Sequence, residues 1–331
     1  MTDELGQWAA RLAPELRARA ESEAVATLRD ALVAAALGES RRRHPAAAPK
    51  SPGEFRKDPG GVLLWTYCVA RAGDPIPADA DGVGERTPVR PVEAAGLVAL
   101  VSEVPRADFA EEPLRRNLND LPWLERSARA HEAVLERALA LATIVPLRLC
   151  TIYESEERVR EMLARERRAF SEALDHLDGR QEWGVKLLVD PELLAADARA
   201  RSDEADVLEQ QMAAAGEGAG GAYMLRRRLE RHVREVADSL AARLAEDVYA
   251  ALAHCALDAV TRSPQSRELS GHEGEMLLNA AYLVAEERVE ELRDTAATLE
   301  LEQRALGARI EVSGPWPPYN FVPGDGTAAI A

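Results

Sequence analysis

The apolar positions change their period several times along the chain, and each change marks a different element. Residues 4–37 carry Val25, Leu28, Leu32 and Ala36 three to four apart, the spacing of one helical face. Pro14 breaks or kinks that helix early, and Gly38 suits its C-cap. From 38 to 61 the pattern dissolves into Pro45, Pro49, Pro52, Pro59 and charges. Such a stretch cannot bury enough apolar surface to fold, so it reads as a disordered linker. Residues 1–61 therefore form an appendage of helix plus linker.

A compact α+β domain is expected over 62–180. Val62 to Ala70 is a short run of strand formers bounded by Gly61 and Asp74-Pro75. A Pro/Gly-rich loop runs on through Pro91, and Gly96 to Val104 is a second strand. Leu118 to Leu141 reads as a helix with Leu124, Ala128, His131, Leu135 and Ala138 on one face. Ile144 to Tyr153 reads as a strand, with Val145, Leu147 and Leu149 alternating against Pro146, Arg148 and Cys150. Ser155 suits the N-cap of a further helix whose stripe is Val159, Leu163, Phe170, Leu174 and Leu177.

The second half, 181–313, has another order. Glu182 to Asp190 is a strand, followed by a short acidic helical stretch and a Gly-rich turn. Tyr223 to Cys255 is one long helix. Ala256 to Arg262 and Met276 to Val284 are strands. Glu286 to Leu306 is a helix with Val289, Leu292, Ala296 and Leu299 on one face, and Ala308 to Ser313 is a last strand. The order β-α-β-β-α-β is that of a split-βαβ, ferredoxin-like domain.

Residues 314–331 form a tail that opens with Gly314-Pro315-Trp316-Pro317-Pro318-Tyr319-Asn320-Phe321. Its prolines exclude a helix or a central strand. Its rings imply docking, either on the protein's own body or on a partner. Docking on the body, through Trp316, Tyr319 and Phe321, is the expectation.

Composition narrows the function. The formal net charge is −16, with 41 basic against 57 acidic residues. Nucleic acid and anionic membranes would repel such a chain, so neither is expected as a partner. Arg41-Arg42-Arg43 reads as a solvated part of the linker. No apolar run approaches the roughly 20 residues of a membrane span, and the opening Met1–Trp8 lacks the apolar stretch of a signal peptide. Cys68, Cys150 and Cys255 lie singly in apolar stretches. They read as reduced, buried thiols of a cytoplasmic protein.

Four patterns bear on chemistry. Gly216 to Gly221 fits GxGxxG, but the preceding Asp203–Ala215 is acidic and helical rather than a strand, so no dinucleotide site is read. His131-Glu132 and His272-Glu273 open like the zinc-binding HExxH, yet neither has the second histidine. His131 falls on the apolar stripe of its helix and reads as a core histidine; His272 reads as an exposed turn residue. Most Asp and Glu residues alternate with Arg on helix faces, as in Glu286-Glu287-Arg288, and read as solvated surface. No catalytic residue, metal ligand or cofactor is assigned.

Several of these segments, in this order, resemble the gas vesicle protein F/L family. Leu64-Trp65-Thr66-Tyr67-Cys68-Val69 is similar to its opening strand, and Gly96 to Ser102 to its second. Trp123-Leu124 through His131-Glu132-Ala133-Val134-Leu135 resembles its His-Glu helix. Ile144-Val145-Pro146-Leu147-Arg148 with Thr151-Ile152-Tyr153 resembles its Pro-containing strand. Glu182-Trp183-Gly184-Val185-Lys186, Ala281-Tyr282-Leu283-Val284 and the 314–321 octet complete the set. The likeness covers about 62–323 and leaves 1–61 outside; it does not separate the F from the L branch.

The resemblance implies an α+β domain, a ferredoxin-like domain and a tail packed back on the body. It implies no enzyme and no cofactor, but an assembly or nucleation protein and minor component of gas vesicles, localised to the vesicle and the cytoplasm. Its implied partners are the apolar shell protein and other accessory proteins. We expect the first sheet to meet the shell protein through Leu64, Trp65, Tyr67, Val98 and Leu100. The runner-up is a regulatory module that binds a small molecule on the ferredoxin-like domain. A third reading, a hydrolase or transferase using His131 and Glu132, requires both side chains to face a cleft.

Overall fold

The computed structural model describes residues 61–322, apart from 79, 85–86, 216–220 and 263–273. The expected helix over 4–37, all but the last residue of the linker, the turn at His272 and most of the Gly216–Gly221 stretch lie outside the described residues. The chain is a mixed α/β protein with two antiparallel sheets. It divides into two compact units, the first reaching Asp178 and the second spanning Gly179–Phe321.

In the first unit, β1 (Val62–Arg71), β2 (Arg90–Ala94), β3 (Leu97–Pro105), β4 (Val145–Pro146) and β5 (Ile152–Tyr153) form one sheet. The order is β2-β3-β1-β4, with β5 also paired to β1. Leu63 through Ala70 of β1 are all buried. A strand covered on both faces needs a continuous apolar run rather than alternation, which is how the sequence reads there. The register with β3 slips between Thr66 and Cys68, leaving Tyr67 as an extra residue. Such a bulge re-aims a side chain.

The helices of this unit are two short ones, α1 (Arg106–Phe109) and α2 (Glu111–Asn117), then α3 (Leu121–Leu139), α4 (Glu156–Arg165) and α5 (Arg167–Leu177). Ser155 does cap α4, accepting from the Arg158 amide. The single helix expected after it breaks at Glu166 into α4 and α5. The strand expected over 144–153 is also divided. Cys150 takes a left-handed φ of 66°, so the chain turns between β4 and β5 instead of running straight. The Pro/Gly-rich loop expected through Pro91 gives way at Arg90 to β2, an edge strand, where proline is tolerated.

The second unit follows the order β6 (Arg180–Val189), α6 (Pro191–Ala200), α7 (Asp203–Ala215), α8 (Gly221–Ala253), β7 (Asp258–Arg262), β8 (Glu275–Ala285), α9 (Val289–Glu302) and β9 (Arg309–Trp316). Its sheet order is β7-β8-β6-β9. The acidic stretch expected as one short helix is two, α6 and α7. Asp190 caps α6 by accepting from the Glu192 and Leu193 amides, and Pro191 starts it.

Alternation along β6 sends Trp183, Val185 and Leu187 into one core with Leu278, Ala280 and Tyr282 of β8. Leu244, Val248 and Leu252 of α8 and Leu292 and Ala296 of α9 close that core. The other end of α8 serves a smaller cluster, in which Leu229 meets Ala205 and Leu208 of α7. The helix is about 50 Å long, which is how one element reaches both clusters.

Candidate functional site

Two clusters of buried polar side chains stand out, one in each unit. In the first, α3 carries His131 against β1. The imidazole is fully buried. Trp65 Nε1 donates to His131 Nδ1 at 2.9 Å, which places the ring proton on Nε2, 3.2 Å from the Leu147 carbonyl that accepts it. Tyr67 stacks on the imidazole with centroids 5.3 Å apart. Its hydroxyl accepts from the Val83 amide at 2.7 Å and shares a hydrogen bond with Ser102 Oγ at 2.6 Å. Gly82 makes that approach possible, since a Cβ there would lie 2.6 Å from the Tyr67 hydroxyl. Burial lowers the His131 pKa to about 4, so the ring is neutral at physiological pH.

Every ring-nitrogen position of His131 is thus spent on the fold. Glu132 is the next residue on α3 and only half-buried, and adjacent helical residues do not face one another. The reading of His131 and Glu132 as a catalytic pair required both to face a cleft, and the burial of His131 removes it. Burial raises the Cys68 thiol well above its ordinary value and pushes Cys150 to about 12. Neither is an activated nucleophile. Among the described residues, no group of three or more His, Cys, Asp or Glu side chains is placed to hold a metal ion.

The second cluster fixes the tail. Glu182 of β6 is 4% exposed and lies opposite Trp316 of β9. Its carboxylate accepts from the Asn320 backbone amide at 3.1 Å and from the Asn320 side-chain amide. Asn320 Oδ1 in turn accepts from Arg262 of β7, Nη2 at 2.6 Å and Nε at 3.1 Å. Burial pushes the Glu182 carboxyl up to about 7; the Asn320 amides and the Arg262 charge oppose that rise. A buried carboxylate needs such donors, because an unpaired one is costly to desolvate.

Two glycines let the tail come this close. Gly314 sits at φ 141°, and a Cβ on it would lie 2.9 Å from the Glu182 carbonyl and 3.0 Å from the Trp183 ring. Gly184 faces Ser313 in the register, and a Cβ there would lie 3.2 Å from Ser313 Oγ. Trp316 Nε1 donates to that same hydroxyl at 3.1 Å. β9 is an edge strand, the position at which Pro315 is allowed. Phe321 is buried, while Trp316 and Tyr319 are half-buried.

The five side chains expected to meet a partner lie elsewhere than on the surface. Leu64, Trp65, Tyr67, Val98 and Leu100 are each 4% exposed or less. A partner could not touch them without opening the sheet, so they are core residues. The error has a physical source: a strand buried on both faces and a strand presenting an apolar face have the same composition. The residues that lock the tail, Glu182, Asn320 and Arg262, were not singled out. The available signal was Glu182 itself, a carboxylate at the head of an apolar strand.

Residues 63–323 match the family of the gas vesicle synthesis protein GvpL/GvpF, and the chain belongs to that family. Over 262 residues it is 37% identical to gas vesicle protein L of Streptomyces sp. strain CB03234, covering 78% of this chain and 92% of that protein. Over 263 residues it is 30% identical to gas vesicle protein F of the same strain, covering 79% of this chain and 100% of that protein. The crystal structure of GvpF from Anabaena sp. PCC7120 shares the fold, with a TM-score of 0.60 at 22% identity over 80% of this chain and 100% of that one. A role in gas vesicles follows from the family. No described helix is long and apolar enough to cross a membrane.

Proposed function

We propose that the chain is a non-enzymatic assembly or nucleation protein of gas vesicles, cytoplasmic until it joins the vesicle as a minor component. Its clients are the apolar shell protein and other accessory proteins. The observation that carries this reading is the reach of the family match, which spans residues 63–323 and so runs through both compact units and the opening of the tail. The second unit, with its β-α-β-β-α-β order, serves as a ferredoxin-like scaffold, and the tail residues Trp316, Tyr319 and Phe321 anchor its closing strand.

An apolar shell protein is prone to uncontrolled association before it is incorporated. An adaptor at −16 stays soluble while it holds such a client. The contact on the first unit then falls to exposed apolar residues such as Val62, Leu121 and Leu141, with Leu64, Trp65, Tyr67, Val98 and Leu100 holding the core of the sheet.

Deletion of the gene in a vesicle-forming host is the test, with complementation by the intact chain. Loss of vesicles restored by complementation supports the proposal; normal vesicles in the deletion strain defeat it. Purified protein should also retain the shell protein at high salt, because apolar contacts survive screening. No observation favours the ligand-binding alternative. The groove of about 500 Å³ on α9 is lined by one helix flank, Glu291, Asp294 and Glu302 among it, rather than by converging buried polar groups.

A further inference from the structure

Between Tyr223 and Arg234, α8 holds five arginines against one glutamate, a local charge of +4 in a chain of −16. Arg226, Arg227, Arg231 and Arg234 are exposed. None of the four has a carboxylate within ion-pair distance among the described residues, whereas Arg228 beside them reaches Glu204 at 2.9 Å. Elsewhere the helical arginines commonly meet a carboxylate one turn away, as Arg115 meets Glu111 at 2.8 Å and Arg168 meets Glu172 at 2.7 Å.

Arg227, Arg231 and Arg234 are spaced four and three apart, so they share one face of the helix. Like charges at that spacing repel and weaken an isolated helix. Positions that break a local rule of stability in this way mark function more often than folding. At the head of the same stripe Tyr223 and Met224 are 56% and 66% exposed. An aromatic and a methionine next to arginines are the side chains that anchor protein interfaces. The opposite flank of this half of α8 is the one that meets α7 through Leu229, so the stripe is not needed to hold the helix down.

We propose that this arginine stripe of α8 docks a short acidic segment of a partner protein. The chemistry fits such a segment better than a polyanion. The stripe from Arg227 to Arg234 is only about 10 Å long, while the rest of a −16 body repels a nucleic acid or an anionic lipid surface at longer range. Three carboxylates with matching helical spacing, flanked by an apolar residue for Tyr223 and Met224, complement it. The inference stands apart from the shell-protein reading and needs no part of it.

The test uses the full chain and a fluorescent helical peptide of roughly 14 residues, with glutamates at the matching spacing and one leucine. Anisotropy at about 150 mM salt is compared with a lysine version of the peptide and with an oligouridylate RNA of equal charge. The triple variant Arg227→Glu, Arg231→Glu, Arg234→Glu is expected to bind the glutamate peptide at least about tenfold more weakly and to take the lysine peptide instead. Arg116→Glu with Arg126→Glu, exposed arginines of α2 and α3, should leave binding unchanged; circular dichroism confirms that both variants fold. The proposal is overturned if the peptide does not bind, if the triple variant binds it equally, or if the RNA binds more tightly. It is also overturned if sedimentation shows a salt-sensitive dimer that the triple variant loses, because the occupant is then a second copy.

Discussion

Glu182 and Asn320 lie 138 residues apart in the chain, yet the backbone and the side chain of Asn320 both donate to the one carboxylate. One strand of the second unit is thereby tied to the segment that closes its sheet. Asn320→Ala removes the side-chain donor and frees Arg262 from its acceptor. The buried carboxylate is left under-satisfied, so the expected loss is about 2–3 kcal/mol. Chemical denaturation with unchanged midpoints would sink this account of the tail.

The same carboxyl gives the second unit an unusual pH response. Its folded pKa is about 7 against an ordinary 4.5. Between those values the folded state holds a proton that the unfolded chain has released. Stability is therefore greatest below about pH 4.5 and falls as pH rises through 7, by an amount on the order of 3 kcal/mol. Glu182→Gln cannot titrate, and its unit should lose this slope. Hydrogen exchange of β6 and β9 amides across that range is the measurement.

His131 drives the first unit the other way. Its folded pKa is about 4 against 6.5 for the free side chain. The unfolded chain takes up the proton first, so stability declines as pH falls below about 6.5 and is down by about 3 kcal/mol near pH 4. Protection factors of β1 and β3 amides should fall in acid while those of β6 rise. His131→Leu abolishes this acid sensitivity but strands the Trp65 indole N–H, at an expected constant cost of about 1–3 kcal/mol.

Packing of the tail can be ranked by burial. Phe321→Ala should cost about 3–4 kcal/mol, the range of a buried ring. Trp316 is half-buried, so Trp316→Ala should cost less, about 1–3 kcal/mol. Gly314→Ala places a methyl against the Glu182 carbonyl at a left-handed φ and should exceed the Trp316 change. Melting temperatures that reverse this order would show that the tail is held by something other than these contacts.

The sequence reads clearly wherever an element obeys one rule. β1, β3, β6, β8, α8 and α9 each keep one pattern throughout, a continuous apolar run or a single period, and their expected spans agree with the structure to within about four residues. It misleads where two rules compete. Pro91 hides β2 because proline is an edge signal as well as a breaker, and Glu166 divides a helix whose apolar stripe continues across it. The partner-contact reading of Trp65 and Tyr67 failed for a deeper reason. Composition reports that a side chain is apolar; only the covering of the second face, here by α3 with His131, decides whether it meets a partner or the core. The tail lock was illegible because it needs Glu182, Arg262 and Asn320 together, and pairing across such separations leaves no local pattern.

β6 lies between β8 and β9, and β9 is the last of its neighbours to be made. During synthesis every residue through Trp316 must leave the ribosome before that edge of β6 can be paired. Until then Trp183, Val185 and Leu187 flank a row of open amides and carbonyls, a template for misassociation. Translation that stops before β9 would release a chain unable to finish its second unit.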